Sequence, residues 1–218
     1  MGLDFTVLAD YRGVLALGAW WTAVLTLAAA ALSLGAGILV ALALLHGPRW
    51  LALPVRGLAG LFMGTPLLLQ LFLIYFGLAQ LGLDIPALAA GILGLGLHFA
   101  AYNAEVIRAG VGALEAGQAE AARSLGLSRM QAMRHVILPQ ALRDTAPPLG
   151  GNMIALLKES SLVSVIGITE LVHAAQRGIS ETYRPFEFYI AAAAVYYLLN
   201  LLMEAALGRI ERCAEASR

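Results

Sequence analysis

The sequence predicts an all-α polytopic membrane protein with five transmembrane helices. Of its 218 residues, 60% are hydrophobic and only 13% are charged, whereas a typical soluble domain carries about 25% charged residues. The mean hydropathy is +0.79, and uncharged runs long enough to cross a bilayer recur along the chain. This composition argues against a soluble enzyme and a disordered protein. Because fourteen basic residues balance fourteen acidic ones, it also argues against a nucleic-acid binder.

The first three spans follow from the longest uncharged runs. Residues 13–45 form a run of 33 residues, residues 57–83 a run of 27, and residues 85–104 a run of 20. A helix needs about 20 apolar residues to cross a hydrocarbon core of about 30 Å, so each run is long enough. Pro66 should kink the second span and free backbone carbonyls there. The predicted spans are about 15–45, 57–78 and 85–107.

The fourth and fifth spans are shorter. Residues 145–157 are uncharged, Lys158 and Glu159 interrupt the run, and it resumes at Ser160. Residues 188–203 form an uncharged run of 16 residues. The fourth span therefore carries two adjacent charges at membrane depth. The predicted spans are about 147–168 and 187–207. Four aromatic residues near the start of the fifth are expected to form an interfacial belt at the outer surface: Tyr183, Phe186, Phe188 and Tyr189.

The connections between the spans carry an uneven distribution of positive charge. In a five-span arrangement, ten arginines fall on one side and three on the other. Because Lys and Arg accumulate in cytoplasmic loops, this bias predicts an outer N-terminus and a cytoplasmic C-terminus. The ten are Arg49, Arg56, Arg108, Arg123, Arg129, Arg134, Arg143, Arg209, Arg212 and Arg218. The three are Arg12, Arg177 and Arg184.

The longest predicted cytoplasmic segment, about 112–143, should contain two surface helices. Residues 118–125 include strong helix formers and neither glycine nor proline. Gly126 follows where a left-handed C-cap is expected. Ser128 can cap a second helix, which Pro139 is expected to interrupt.

The spacing within this segment resembles the EAA signature of bacterial ABC importer permeases, with Val136 where that family usually has isoleucine. The matching residues are Glu120, Ala121, Ala122, Gly126, Val136, Leu138 and Pro139. Further blocks resemble the polar amino acid branch of that family, in the family's order over roughly residues 57–212, and Met63 stands where the branch often has arginine. The blocks are 64–72, 101–108, 139–143, 158–162, 170–171 and 211–212.

The resemblance implies a permease fold, a bacterial inner-membrane location and a set of partners. These partners are two ABC ATPase subunits that bind ATP and Mg²⁺, a second permease copy or a sister permease, and an extracytoplasmic amino-acid-binding protein. Lipid would surround the spans, and the substrate would be an amino acid. The cytoplasmic segment would then couple to the ATPase, because small side chains allow close approach and glycine allows a sharp exit. The expected coupling residues are Gln118, Glu120, Ala121, Ala122 and Gly126.

We expect no catalysis in this chain itself. It has no GxxxxGK[ST] sequence for phosphate binding, and the four histidines and single cysteine show no metal-ligand spacing, so no cofactor or metal is expected. An intramembrane enzyme would depend on Ser160 and Ser161 beside Glu159, yet no histidine is placed to activate them. A gradient-driven transporter or channel would also place charges in the membrane. Such transporters commonly contain internal inverted repeats, but the five predicted spans do not divide into two corresponding halves.

The charges of the fourth span suggest a substrate path. Lys158 lies ten residues after Pro148, about 15 Å along a helix and near the middle of the core. Neighbouring side chains on a helix point about 100° apart, so Lys158 and Glu159 cannot neutralise each other well. A zwitterionic amino acid carries a carboxylate that could approach Lys158 and an ammonium group that could approach Glu159. The acidic Glu159 slightly favours a basic or broadly polar amino acid as the substrate. The alternative is a gate in which the charges pair with other helices or across a dimer. The expected path residues are Gln70, Lys158, Glu159, Ser160 and Ser161.

Overall fold

The structure is a computed structural model that describes residues 2–114 and 116–215. Every regular element within those ranges is helical. In chain order the helices are α1 (Leu8–His46), α2 (Arg49–Gly64), α3 (Leu67–Gln80), α4 (Ala87–Ala113), α5 (Ala116–Ser124), α6 (129–144), α7 (Ala146–Glu159), α8 (Leu171–Thr182) and α9 (Pro185–Glu215). A 3-10 turn at Phe5–Val7 precedes α1, and another at Ser160–Ile166 extends α7.

Four helical stretches of the described chain are long and apolar enough to cross a membrane. They are Phe5–His46, Ala87–Ala113, Ala146–Ile166 and Pro185–Arg209. Helices α2 and α3 pass the same test together, with a bend of 112° between them. The fold therefore offers four candidate spans, or five if the bent pair is one span, in a wholly helical arrangement.

The second span is broken at Pro66. The sequence places this span at 57–78, a stretch that the structure divides between α2 and α3. Thr65 and Pro66 are both extended, with ψ angles of 146° and 135°. Proline has no amide hydrogen to continue a helix and disfavours the helical region for the residue before it, so a break here is physically expected. A π-helical turn at Leu73–Gly77 then interrupts the regular pattern of α3.

The largest core cluster lies where α1, α3, α4 and the end of α7 meet. Leu25, Leu71, Leu95 and Leu156 are fully buried within it. Helices α1 and α4 approach closely at Gly37, where an added Cβ would stand 2.8 Å from Cβ of Asn103. This contact requires glycine because the space is already filled.

A second core cluster joins the start of α1 to α8 and α9. Phe188 is fully buried there, packs edge-to-face on Tyr11 with ring centroids 5.1 Å apart, and fills the space beside Gly178. The expectation that Phe188 belongs to an exposed aromatic belt is therefore wrong, because its side of α9 faces α8. Tyr183, Phe186 and Tyr189 are exposed.

Candidate functional site

The segment that follows α4 forms a helix with a tight, well-defined end. Gly126 has φ +83°, the left-handed conformation in which glycine has no steric penalty. Its amide donates to the carbonyl of Arg123 at 2.9 Å, and the Leu127 amide donates to the carbonyl of Ala122 at 3.2 Å. These two hydrogen bonds make a Schellman motif. Gly126 thus ends α5 in the way the sequence predicts.

The residues expected to couple to an ATPase lie mostly on the exposed side of α5. Gln118, Glu120 and Ala121 are exposed, whereas Ala122 is buried on the side where α5 packs against α6. Two neighbouring apolar side chains are also exposed, Leu125 at 84% and Met130 at 70%. Neither residue stands out in the sequence. A patch of exposed apolar side chains is typical of a protein contact.

The helix after this turn continues further than the sequence suggests. Ser128 and Gln131 form a capping box at its start, in agreement with the expected cap. Pro139 does not interrupt α6, because a π-helical turn at Met133–Ile137 precedes it and the proline stands in the first turn of the next segment, Leu138–Asp144. Proline is tolerated in a first helical turn, where its missing amide leaves no hydrogen bond unmade.

Two adjacent charges lie within the candidate span Ala146–Ile166, where α7 changes into a 3-10 turn. Lys158 is exposed and Glu159 is half-buried. Within the described residues, neither side chain makes an ion pair or a hydrogen bond. Pairing with other helices is one form of the gate that the sequence leaves open, and Lys158 and Glu159 therefore make no such pair within residues 2–114 and 116–215.

The two serines beside these charges satisfy their hydroxyl donors locally. Ser160 Oγ is buried and donates to the carbonyl of Leu157 at 2.7 Å. Ser161 Oγ is more accessible and donates to the carbonyl of Lys158 at 2.9 Å. Of the two, Ser161 has the hydroxyl oxygen better placed to accept a hydrogen bond from a bound molecule.

Gln70 lies elsewhere, at the break between α2 and α3. Its Nε2 donates to the carbonyls of Phe62 at 2.8 Å and Thr65 at 3.0 Å, and it lies 2.9 Å from Thr65 Oγ1. Its Oε1 lies 3.0 Å from Nδ1 of His98. The structure therefore brings Lys158, Glu159 and the serines together but gives Gln70 its own set of partners.

Other polar groups of the candidate spans bond to partners within the chain. Asn152 donates from α7 to Asn103 Oδ1 at 2.8 Å, and Asn103 donates to Ser33 Oγ on α1 at 3.2 Å. Glu105 and Arg108 form an ion pair at 2.6 Å on α4, as the spacing of three residues suggests. No three metal-ligating side chains come together in the described ranges.

A buried glutamate, Glu170, caps the N-terminus of α8. Glu170 is 0% exposed and accepts hydrogen bonds from the amides of Val172 at 2.9 Å and His173 at 2.8 Å. Tyr196 donates to it from α9 at 2.8 Å. Burial raises the pKa of Glu170, and these hydrogen bonds act in the opposite direction. The contact with Tyr196 is not visible in the sequence, because that residue lies 26 positions further along the chain.

The chain is similar to known membrane transport proteins over most of its length. Residues 33–214 match the profile of a family described as binding-protein-dependent transport system inner membrane component. The chain is 43% identical over 158 residues to the probable amino-acid ABC transporter permease protein PatM of Vibrio harveyi, covering 71% of this chain and 69% of PatM. It is 36% identical over 202 residues to the octopine transport system permease protein OccM of Rhizobium meliloti, covering 86% and 81%.

A solved structure is similar over almost the whole chain. The crystal structure of an amino acid ABC transporter with histidines has a TM-score of 0.89 and 42% sequence identity, covering 97% of this chain and 99% of that chain.

Proposed function

The chain belongs to the family of binding-protein-dependent transport system inner membrane components, and from this membership we infer that it is the permease subunit of an ATP-driven amino acid importer. It is an inner-membrane protein that forms the translocation path and carries no ATPase of its own. The observation that carries this conclusion is the similarity to a solved amino acid ABC transporter over 97% of the chain. The family implies an ATPase and a substrate-binding protein as partners.

We propose that α5 and the turn after it are the contact with the ATPase subunit. The support is the exposure of Gln118, Glu120 and Ala121 and the fixed geometry of the turn at Gly126. Leu125 extends this surface with an apolar side chain that is 84% exposed. A rigid turn transmits a push on α5 to the spans, whereas a flexible loop would absorb it.

We propose further that Lys158 and Glu159 contact the amino acid during translocation. Two charges at membrane depth without partners among the described residues are costly, and such residues commonly mark a substrate path. The substrate carboxylate would approach Lys158, while its ammonium or basic side chain would approach Glu159. Ser161 would add a neutral hydrogen bond. Ser160 and Gln70 donate their hydrogen bonds to carbonyls of this chain. They would therefore support the wall of the path without binding the substrate.

The arrangement in the membrane completes the proposal. The arginine bias supports an outer N-terminus and a cytoplasmic C-terminus, which puts α5 on the ATPase side. We propose a transporter with two permease chains, either two copies or this chain and a sister, on two ATPase subunits.

Copurification tests this assignment directly. The tagged chain, expressed with the ATPase and binding-protein subunits of its own system, should retain the ATPase through purification in detergent. Glu120→Lys should lose the ATPase while the chain still inserts in the membrane. Retention of the ATPase by this variant would count against the α5 contact, and failure of the original chain to retain any ATPase would count against the importer assignment.

A further inference from the structure

The break in the second span is bridged by one side-chain amide. Gln70 stands in α3, yet its Nε2 reaches back to the last turn of α2 and donates to the carbonyls of Phe62 and Thr65. The end of a helix leaves carbonyls without intrahelical partners, and Pro66 has no amide to offer them. Gln70 therefore takes the place of the amides that the break removes.

The other end of this amide is held by α4. Because Nε2 of Gln70 faces only acceptors, its Oε1 is the atom directed at His98, 3.0 Å from Nδ1. The Nδ1 atom must then carry the hydrogen and donate it. His98 is 7% exposed and packs against the rings of Phe99 and Tyr102, with centroids 5.4 Å and 5.1 Å away. Because the His98 ring is enclosed by these neighbours, it holds the side-chain amide of Gln70 in a fixed position.

The two halves of the broken span, α2 and α3, leave a gap in the apolar packing between them at the bend. A hollow of about 210 Å³ lies beside the break, lined by residues from both halves, including Phe62, Leu69 and Ile74. Both α2 and α3 pack instead against α4, the helix that carries His98. The hydrogen bonds of Gln70 therefore link the two halves directly, and they add a polar link to α4, against which both halves pack.

We propose that Gln70 and His98 form a clamp that makes the broken span a rigid elbow, so that α2 and α3 move together with α4 during the transport cycle. They are positioning residues and do not contact the substrate in this proposal. The conformational change of the cycle then occurs outside Thr65–Pro66. The uptake rate and the comparison with ATP rest on the importer function, whereas the broadened distance expected for Gln70→Leu does not require it.

Spin-label distances across the elbow test this proposal. In a Cys213→Ser background, labelled cysteines replace Trp50 and Leu81, which are 75% and 77% exposed at the two ends of the elbow. The full complex is assembled in lipid with excess unlabelled chain, so that each transporter holds one labelled copy. We expect one narrow distance that is the same without nucleotide and with ATP, and a broadened distribution in Gln70→Leu. A distance that shifts between the two states, or a Gln70→Leu distribution as narrow as the original, would overturn the proposal.

Two substitutions of His98 separate the clamp from simple packing. The amide nitrogen of asparagine occupies the place of Nδ1, whereas that of glutamine occupies the place of Nε2. His98→Asn should therefore keep the elbow distance and the uptake rate. His98→Gln should broaden the distance and lower uptake per assembled transporter by about tenfold, since a buried acceptor loses its donor. Equal behaviour of the two variants would contradict the assigned donor and the clamp.

Discussion

Tyr196 donates a hydrogen bond of 2.8 Å to the carboxylate of Glu170, and this bond joins α9 to the N-terminus of α8. Thr22 of α1 completes the junction by accepting a hydrogen bond from the Leu171 amide at 3.1 Å. Helix α1 therefore meets the consecutive helices α8 and α9 at one polar point. The position of α8 depends on hydrogen bonds as well as on the apolar packing around Phe188.

We expect Glu170→Ala to destabilise the protein strongly. The substitution leaves two backbone amides and the Tyr196 hydroxyl without an acceptor in a buried place, at about 1–3 kcal/mol for each unsatisfied group. Tyr196→Phe removes one hydrogen bond and should cost about 1 kcal/mol. Thermal unfolding in detergent measures both. Equal midpoints for the original chain and Glu170→Ala would show that the junction contributes little.

The contact between α1 and the end of α8 should depend on pH. Tyr11 donates to Glu181 at 2.7 Å, and this hydrogen bond, with Arg177 beside it, lowers the pKa of Glu181 below its usual 4.5. An acid with a lowered pKa stabilises the folded state above its usual pKa, and this contribution is lost as the pH falls through the lowered value. The midpoint difference between the original chain and Tyr11→Phe should therefore be present at neutral pH and shrink below pH 4.5. A difference that does not vary with pH would contradict this reasoning.

A matched pair of glycine substitutions tests the turn that ends α5. Gly126→Ala places a Cβ at φ +83°, which costs about 1–2 kcal/mol. Gly117→Ala lies in the same helix, in open space, and should be neutral or slightly favourable for the helix. We expect Gly126→Ala to lower the stimulation of ATPase activity by loaded binding protein while Gly117→Ala leaves it unchanged. The same loss in both variants would point to the helix rather than to the turn.

Substitution of the membrane-depth charges tests the substrate path. Glu159→Gln should weaken uptake of basic amino acids relative to neutral ones, and Lys158→Met should raise the apparent KM for all amino acids, because each removes one electrostatic complement of the substrate. Uptake competition assays measure this selectivity, with ATPase copurification as the control for assembly. Assembled variants with unchanged selectivity and unchanged KM would exclude substrate contact.

Local features of the fold were predictable from the sequence, and features that join distant residues were not. The left-handed turn at Gly126, the cap at Ser128 and the disruption at Pro66 each depend on backbone preferences within a few residues. The expectation that Pro139 interrupts its helix is wrong because a π-helical turn upstream shifts the hydrogen bonds that proline would break. The expectation for Phe188 is wrong because composition does not say which side of α9 meets α8.

The candidate site also has features that the sequence predicts and contacts that it does not. The charges of Lys158 and Glu159 stand out in the sequence because they interrupt an apolar run. The link between Gln70 and His98 crosses two helices, and no periodicity in either helix indicates that those side chains meet. Its place in a kinked span therefore suggests a position on the substrate path for Gln70, whereas its hydrogen bonds are with Phe62 of α2, Thr65 and His98 of α4.

Uptake into proteoliposomes tests the central claim most directly. The chain is reconstituted with the ATPase of its system, binding protein is added outside, and radiolabelled amino acid uptake is measured with and without ATP inside, in the absence of any ion gradient. We predict accumulation that requires ATP, the ATPase subunit and the binding protein together. Uptake that continues without the ATPase subunit, or that requires an ion gradient instead of ATP, would contradict the account.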